Sequence, residues 1–233
     1  MHFNGRLNAQ VESDIVGYQT LELTSGLNLL AVNFDNIAEN ATIQDVVQGD
    51  FVTGERLLFY SPTSGYTTYT YQTTVFTDET YTNIHDGAAW ATGAGILATE
   101  VVNSGSAFWI DVKSDKSVTI AGKVKLSDQK IECRTGTNLV AVAFPISVDL
   151  NKDLQITGAV VGDQIMTYSP INGYTTYTYQ STLFTDNTYT SLYNGAGWGD
   201  KAGIVAKELI PAGSAFWVVA KGNLSIDVAS PIK

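Results

Sequence analysis

The chain has 233 residues, a formal net charge of −10, and only 15% charged residues against 44% hydrophobic ones. An acidic surplus of this kind repels phosphate backbones and anionic bilayers, so the composition excludes nucleic acid as a partner and polybasic docking to membranes. No apolar run approaches the ~20 residues of a membrane span, so no membrane insertion is expected either.

Residues 1–14 have no counterpart later in the chain and are read as an N-terminal arm or leader. The first ten residues lack the apolar stretch of a signal peptide, so a secreted protein with this start is expected to be a mature or recombinant form. Arg6-Leu-Asn-Ala-Gln-Val11 is strand-compatible and suits donation to the sheet edge of a neighbour. After the Gly26 turn, Leu27–Phe34 reads as a buried strand, and Thr42–Val47 as one helical turn capped by Thr42. Arg56–Tyr60 and Tyr66–Gln72 form a hairpin around Ser64-Gly65. Ala107–Val112 and Ser117–Val124 complete a first unit.

The chain then repeats itself. Pro170-Ile-Asn-Gly-Tyr-Thr-Thr-Tyr-Thr-Tyr-Gln180 returns Pro62 to Gln72, and Gly213-Ser-Ala-Phe-Trp217 returns Gly105 to Trp109. Roughly 29 of 49 pairs are identical between Pro62–Ile110 and Pro170–Val218, at an offset of about 108, which marks a tandem repeat. The second set of strands is accordingly Leu139–Phe144, Gln164–Tyr168, Tyr174–Gln180, Ala215–Ala220 and Leu224–Val228. Turns every 8–12 residues and no sustained helical stripe predict an all-β protein of two tandem homologous sandwich or barrel-like domains, 15–125 and 126–233. The junction Lys125–Gln129 has neither proline nor a glycine run, so close packing of the two units is expected.

Catalytic residues are not identified. His2 and His85 are the only histidines; His85 is replaced by Tyr193 in the copy, and no Gly-x-Ser-x-Gly elbow accompanies it. The duplicated acids Asp78/Asp186, Glu100/Glu208 and Glu22/Glu132 read as turn caps or backbone acceptors. Asp149-Leu-Asn-Lys-Asp153 has oxygens at alternate positions, but without the glycine and distal glutamate of a calcium loop it assigns no metal, and no cofactor is expected. Cys133, the only cysteine, aligns with Leu23 and reads as a buried hydrophobe. Aromatic residues are the richest material. In Phe108-Trp109 the strand period sends one ring to the core and the other to the opposite side. Trp90 and Trp198, in glycine-rich loops, are the leading candidates for rings exposed to a ligand, with Tyr66 and Tyr174 beside them.

Gly26-Leu-Asn-Leu-Leu, Gly136-Thr-Asn-Leu-Val, the two Gly-Tyr-Thr-Thr-Tyr hairpins and Pro211-Ala-Gly-Ser-Ala-Phe-Trp-Val218 resemble a β-domain recurring in bacterial secreted and cell-surface proteins. Its pattern runs Gly-Trp/Tyr-Asn-Leu, a tyrosine hairpin, then Pro-Gly-x-Gly-Phe-Trp-Val. Leu27 and Thr137 replace its usual aromatic, and Asn103-Ser104 its Pro-Ala. The resemblance implies an extracellular location and carries no catalytic residues. The expected function is a non-enzymatic structural protein of the cell surface that self-associates into a layer or filament; the alternative is a carbohydrate-binding or adhesion module using Trp90, Trp198, Tyr66 and Tyr174.

Overall fold

The computed structural model describes residues 15–232, so the expected N-terminal arm lies outside the described residues. The protein is all-β. The first unit runs β1 (Val16–Leu23), β2 (Gly26–Ala31), α1 (Ile43–Val46), β3 (Val47–Gly49), β4 (Arg56–Ser61), β5 (Gly65–Gln72), β6 (Ala89–Ala91), β7 (Ala107–Val112) and β8 (Lys116–Lys123). The second runs β9 (Gln129–Cys133), β10 (Gly136–Ala141), β11 (Val148–Asp149), β12 (Leu154–Thr157), β13 (Gln164–Ser169), β14 (Gly173–Gln180), β15 (Gly197–Gly199), β16 (Leu209–Ile210), β17 (Ala215–Ala220) and β18 (Leu224–Val228).

The strand order is the same twice. A five-stranded antiparallel sheet β2-β7-β4-β5-β6 in the first unit matches β10-β17-β13-β14-β15 in the second, and β1-β8-β3 matches β9-β18-β12. Within each unit the two sheets enclose a core. Leu57, Tyr69, Phe108 and Ile110 of the large sheet meet Leu23, Val118 and Ile120 of the small one. Ile165, Tyr177, Phe216 and Val218 meet Cys133, Leu224 and Ile226 in the copy.

The other face of each large sheet is also apolar, and there the units join. Leu29, Ala31 and Trp109 pack with Ala141, Ala215 and Trp217 in a third core. Phe108 and Phe216 are core residues and Trp109 and Trp217 seam residues, as the strand period requires. The large sheets therefore lie back to back, each with its small sheet on the outside. Hydrogen bonds tie the seam: Ala31 N–H donates to the Gly213 carbonyl at 2.8 Å, and the Asn33 side-chain Nδ2 donates to the Val142 and Phe144 carbonyls, each at 2.9 Å. Gly213, at φ +82°, admits no side chain without striking Leu21. Its repeat partner Gly105, at φ +81°, stands against Gln129 in the same way. Left-handed backbone at a close inter-unit approach accounts for the glycine in both Gly-Ser-Ala-Phe-Trp copies.

Two expected strands end early. The strand within Leu27–Phe34 ends at Ala31, with Val32 still bonded through its backbone to Ser106 and Gly105 and with Phe34 buried beyond it. The chain leaves the ladder there so that Asn33 can cross to the second unit. Leu139–Phe144 stops at Ala141 likewise, where Ala143 N–H donates to Gln129 Oε1 instead. The helical turn is present, with Asp45 accepting from both the Thr42 backbone N–H and hydroxyl. Strands β3, β6, β12 and β15, each of three or four residues, escape a reading by alternation.

The seam makes a testable demand. Trp109→Ala and Trp217→Ala should each destabilise the protein by roughly 3–5 kcal/mol in urea unfolding, the range for truncating a large buried aromatic. Cys133 is 2% exposed, and burial pushes its thiol up to about 11. Native protein at neutral pH should therefore resist a thiol reagent that labels the urea-unfolded chain rapidly.

Candidate functional site

The expected exposure of Trp90 and Trp198 is not found. Their relative exposures are 1% and 2%, because the glycine-rich segments around them form the short edge strands β6 and β15 rather than open loops. Trp90 packs 4.7 Å from Phe51 and 5.1 Å from Tyr71, ring centre to ring centre; Trp198 lies 5.2 Å from Tyr179. A side-chain amide fixes each backbone in place. Gln44 donates to the Trp90 carbonyl at 2.7 Å and accepts from its N–H at 3.1 Å, and Asn151 does the same for Trp198 at 3.0 and 2.8 Å. Neither indole presents a face to a ligand.

Tyr66 and Tyr174 stand differently, at 50% and 53% exposure on the rim of the seam. Tyr66 packs 5.3 Å from Tyr60, whose ring lies 4.9 Å from Trp217; Tyr174 packs 5.1 Å from Tyr168, which lies 4.7 Å from Trp109. These six rings form one cluster across both units, with the tryptophans inside and the two hairpin tyrosines outside. Partial burial raises both phenols above the ordinary tyrosine value, although neighbouring indoles act in the opposite direction: Trp109 beside Tyr66 and Trp217 beside Tyr174. The Trp217 N–H lies near the Tyr174 hydroxyl but in poor geometry, so buried Nε1 closes no hydrogen bond within the protein. Both tyrosines therefore stay neutral donors at physiological pH, on a platform carrying no charged group of its own.

The duplicated acids take three different posts. Asp78 accepts from the Thr80 N–H at 2.9 Å, from its hydroxyl, and from Asn83; Asp186 accepts from the Thr188 N–H and hydroxyl. These hydrogen bonds hold both carboxyls below the usual carboxylate range. Glu100 and Glu208 accept from tyrosine hydroxyls instead of backbone: Tyr69 at 3.0 Å and Tyr177 at 2.6 Å. Burial first, and the carboxylate second, push the Tyr69 phenol up to about 12 and shift Tyr177 in the same direction. Glu132, exposed, pairs with Lys130 at 2.7 Å.

Sequence reading missed two of the buried carboxylates, Glu55 and Asp163. Glu55 accepts from the N–H groups of Val52 and Lys113 at 3.0 and 2.9 Å, and Asp163 from those of Val160 and Lys221, both at 2.8 Å. In the first unit Lys116 adds an ion pair at 2.7 Å; Leu224 occupies that place in the second. Because one copy is Glu and the other Asp, identity between repeats does not flag the pair. A carboxylate immediately before the first strand of the Tyr-rich hairpin in both units was the available signal.

No group of His, Cys, Asp and Glu suited to a metal ion occurs among the described residues. Asp149 to Asp153 close on themselves, with Asp149 N–H donating to Asp153, Asn151 N–H to Asp149, and Lys152 paired with Asp149 at 3.0 Å. No helix among the described residues is long and apolar enough to cross a membrane. Known family models, curated proteins and solved structures were compared with the chain, and none matches.

The Glu55 ion pair has a pH signature. Burial works against its charge, but Lys116 and the Lys113 and Val52 amides outweigh it, leaving the carboxyl below its usual value of 4.5. A depressed carboxyl contributes stability above its unfolded pKa that is lost as pH falls through the folded one. Glu55→Gln should cost roughly 3 kcal/mol at neutral pH, as breaking a buried pair does, and the difference from wild type should shrink progressively below pH 4.5 in denaturant titrations.

Proposed function

We propose that the protein is a secreted, non-enzymatic structural component of the cell surface that self-associates head to tail into a layer or filament. The observation that carries this reading is a sheet edge with little charge to guard it in each unit. Strand β1 bears one charge, Glu22, in eight residues, and its exposed face begins with Val16 at 64% and Tyr18 at 76% exposure. Natural proteins usually protect such edges with lysine, proline or a bulge. The corresponding strand of the second unit is protected: β9 is three residues shorter and carries the Lys130–Glu132 pair on its open face. Second-unit edge strand β12, Leu-Gln-Ile-Thr, bears no charge.

Unlike edges in different units allow β1 of one copy to pair with β12 of the next, and a heterologous contact of this kind need not close. Backbone pairing would satisfy strand groups that water otherwise serves. The resemblance noted in the sequence supports an extracellular location. The acids whose partners have been traced accept from backbone, threonine, asparagine, tyrosine or lysine, which accords with a non-catalytic role.

A second reading, a carbohydrate-binding or adhesion module, rests on Tyr66 and Tyr174 alone, since theirs are the candidate rings with open faces. Stacking there would be lost in a Tyr66→Ala/Tyr174→Ala double variant probed on a glycan array.

Light scattering after size exclusion, with electron microscopy, tests the first reading. Wild-type protein should form oligomers in a concentration-dependent manner. Tyr18→Lys and Gln155→Lys should each shift it to monomer while circular dichroism and melting stay unchanged. A wild-type chain that remains monomeric at high concentration overturns self-association.

A further inference from the structure

The second unit lacks two rings of the first, with Ala159 in place of Phe51 and Thr167 in place of Phe59, and the second of these losses lies at the hairpin. In the first unit Phe59 points to the core side of β4. It pairs with Thr67 on one side and Phe108 on the other, and its ring stacks 5.4 Å from Phe108 and stands 6.2 Å from Tyr69. In the second unit Thr167 takes the same place, pairing with Thr175 and Phe216. Losing the phenyl leaves a hollow of about 200 Å³ at the mouth of the sandwich, between the β13–β14 hairpin and the 208–211 segment.

Its polar walls are Thr167, Ser169, Asn172, Thr175, Tyr177 and Glu208. Thr167, Thr175 and Tyr177 share one face of the hairpin by strand register, so their hydroxyls converge. Glu208 supplies the one charged group, oriented by the Tyr177 hydroxyl at 2.6 Å, and its remaining lone pairs are open to further donors. Ile210 and Pro211 close the apolar side. No lysine or arginine lines the hollow, which disfavours phosphate and carboxylate ligands.

We propose that this hollow is a binding site, present in the second unit and filled by protein in the first, for a single neutral polyhydroxy ring such as the terminal residue of a glycan. A carboxylate accepts from two neighbouring hydroxyls of a sugar, and threonine and tyrosine hydroxyls both donate and accept, which matches the amphoteric character of a polyol. The volume lies below the ~300–1,000 Å³ of pockets for drug-sized ligands, so it selects one ring rather than an oligomer. Tyr168 borders both the hollow and the Tyr66–Tyr174 rim, but strand alternation sends its ring to the face opposite Thr167, and binding in the hollow does not depend on self-association.

The test is a heteronuclear NMR titration of the full chain with methyl glycosides of several hexoses, and with tetramethylammonium as a cationic probe. At least one glycoside should shift the amides of Thr167, Thr175 and Glu208. Thr167→Phe, which copies the first unit, should abolish those shifts while melting no lower than wild type. Thr167→Val and Glu208→Gln should each weaken binding about tenfold, the effect of roughly 1.4 kcal/mol, and Phe59→Thr should give the first unit a site of its own. No shift with any glycoside, shifts that survive Thr167→Phe, or binding of tetramethylammonium alone would overturn the proposal.

Discussion

Each large sheet carries a tryptophan on the face turned away from its own core. Left alone, either unit would expose Trp109 or Trp217 together with the leucine, alanine and tyrosine around it. An aromatic of this size buries 150–250 Å², which at about 25 cal/mol per Å² is on the order of 4–6 kcal/mol for each indole. That quantity is comparable to the whole stability of a small domain. The back-to-back packing is therefore a condition of folding for each half, and the remaining architecture follows from it. The small sheets must lie outside, the hairpin tyrosines must fall on the rim, and the chain must break its β2 ladder at Ala31 to let Asn33 cross.

This constraint explains which parts of the fold could be read from the sequence. Strands β5 and β14 carry repeated text with Tyr69 and Tyr177 on a core and the threonine face largely exposed; β7 and β17 carry it with both faces committed, one to a core and one to the seam. Selection by packing leaves a dense pattern, and both their type and their alternation were legible. The short strands β6 and β15 have no such pattern. Ala-Trp-Ala and Gly-Trp-Gly look like flexible, glycine-rich loops, and what makes them buried edges is an amide from far away in the chain. Gln44 and Asn151 perform that task one residue out of step with the main repeat, and with different side chains. A local reading has no access to such a partner, so Trp90 and Trp198 were taken for exposed rings.

The acids show the same limit from the polar side. Repetition marked Asp78 and Glu100 because their copies are identical, and a structural post explains both. Glu55 and Asp163 meet one requirement, two backbone N–H groups beneath the hairpin, with side chains differing by a methylene. The longer side chain comes with a lysine in reach and the shorter with a leucine in its place. Burial of a carboxylate is tolerated either way because the amides are already paired to it.

Duplication also separates what the fold requires from what one unit alone has acquired. A residue kept in both copies answers to the sandwich or the seam, as Gly105 and Gly213 do. A divergence that costs stability needs another cause. Thr167 in place of Phe59 forfeits an aromatic stack and opens a hollow, and the longer, unprotected β1 leaves apolar side chains in water. The seam itself departs from two-fold symmetry. Gln129 satisfies both ends of its amide on Ala141 and Ala143, while Oε1 of its counterpart Gln19 finds no partner within the protein. A buried acceptor left open costs about 1–3 kcal/mol, so the first unit accepts a weaker fit where the second is fully bonded. The asymmetry runs in a consistent direction. The first unit has filled its core pocket and left β1 unguarded, whereas the second has protected the matching strand β9 and opened its pocket. Two copies of one fold have thus been divided between an outward-facing strand and a concave site, a division that neither copy could make if both had to serve the same end.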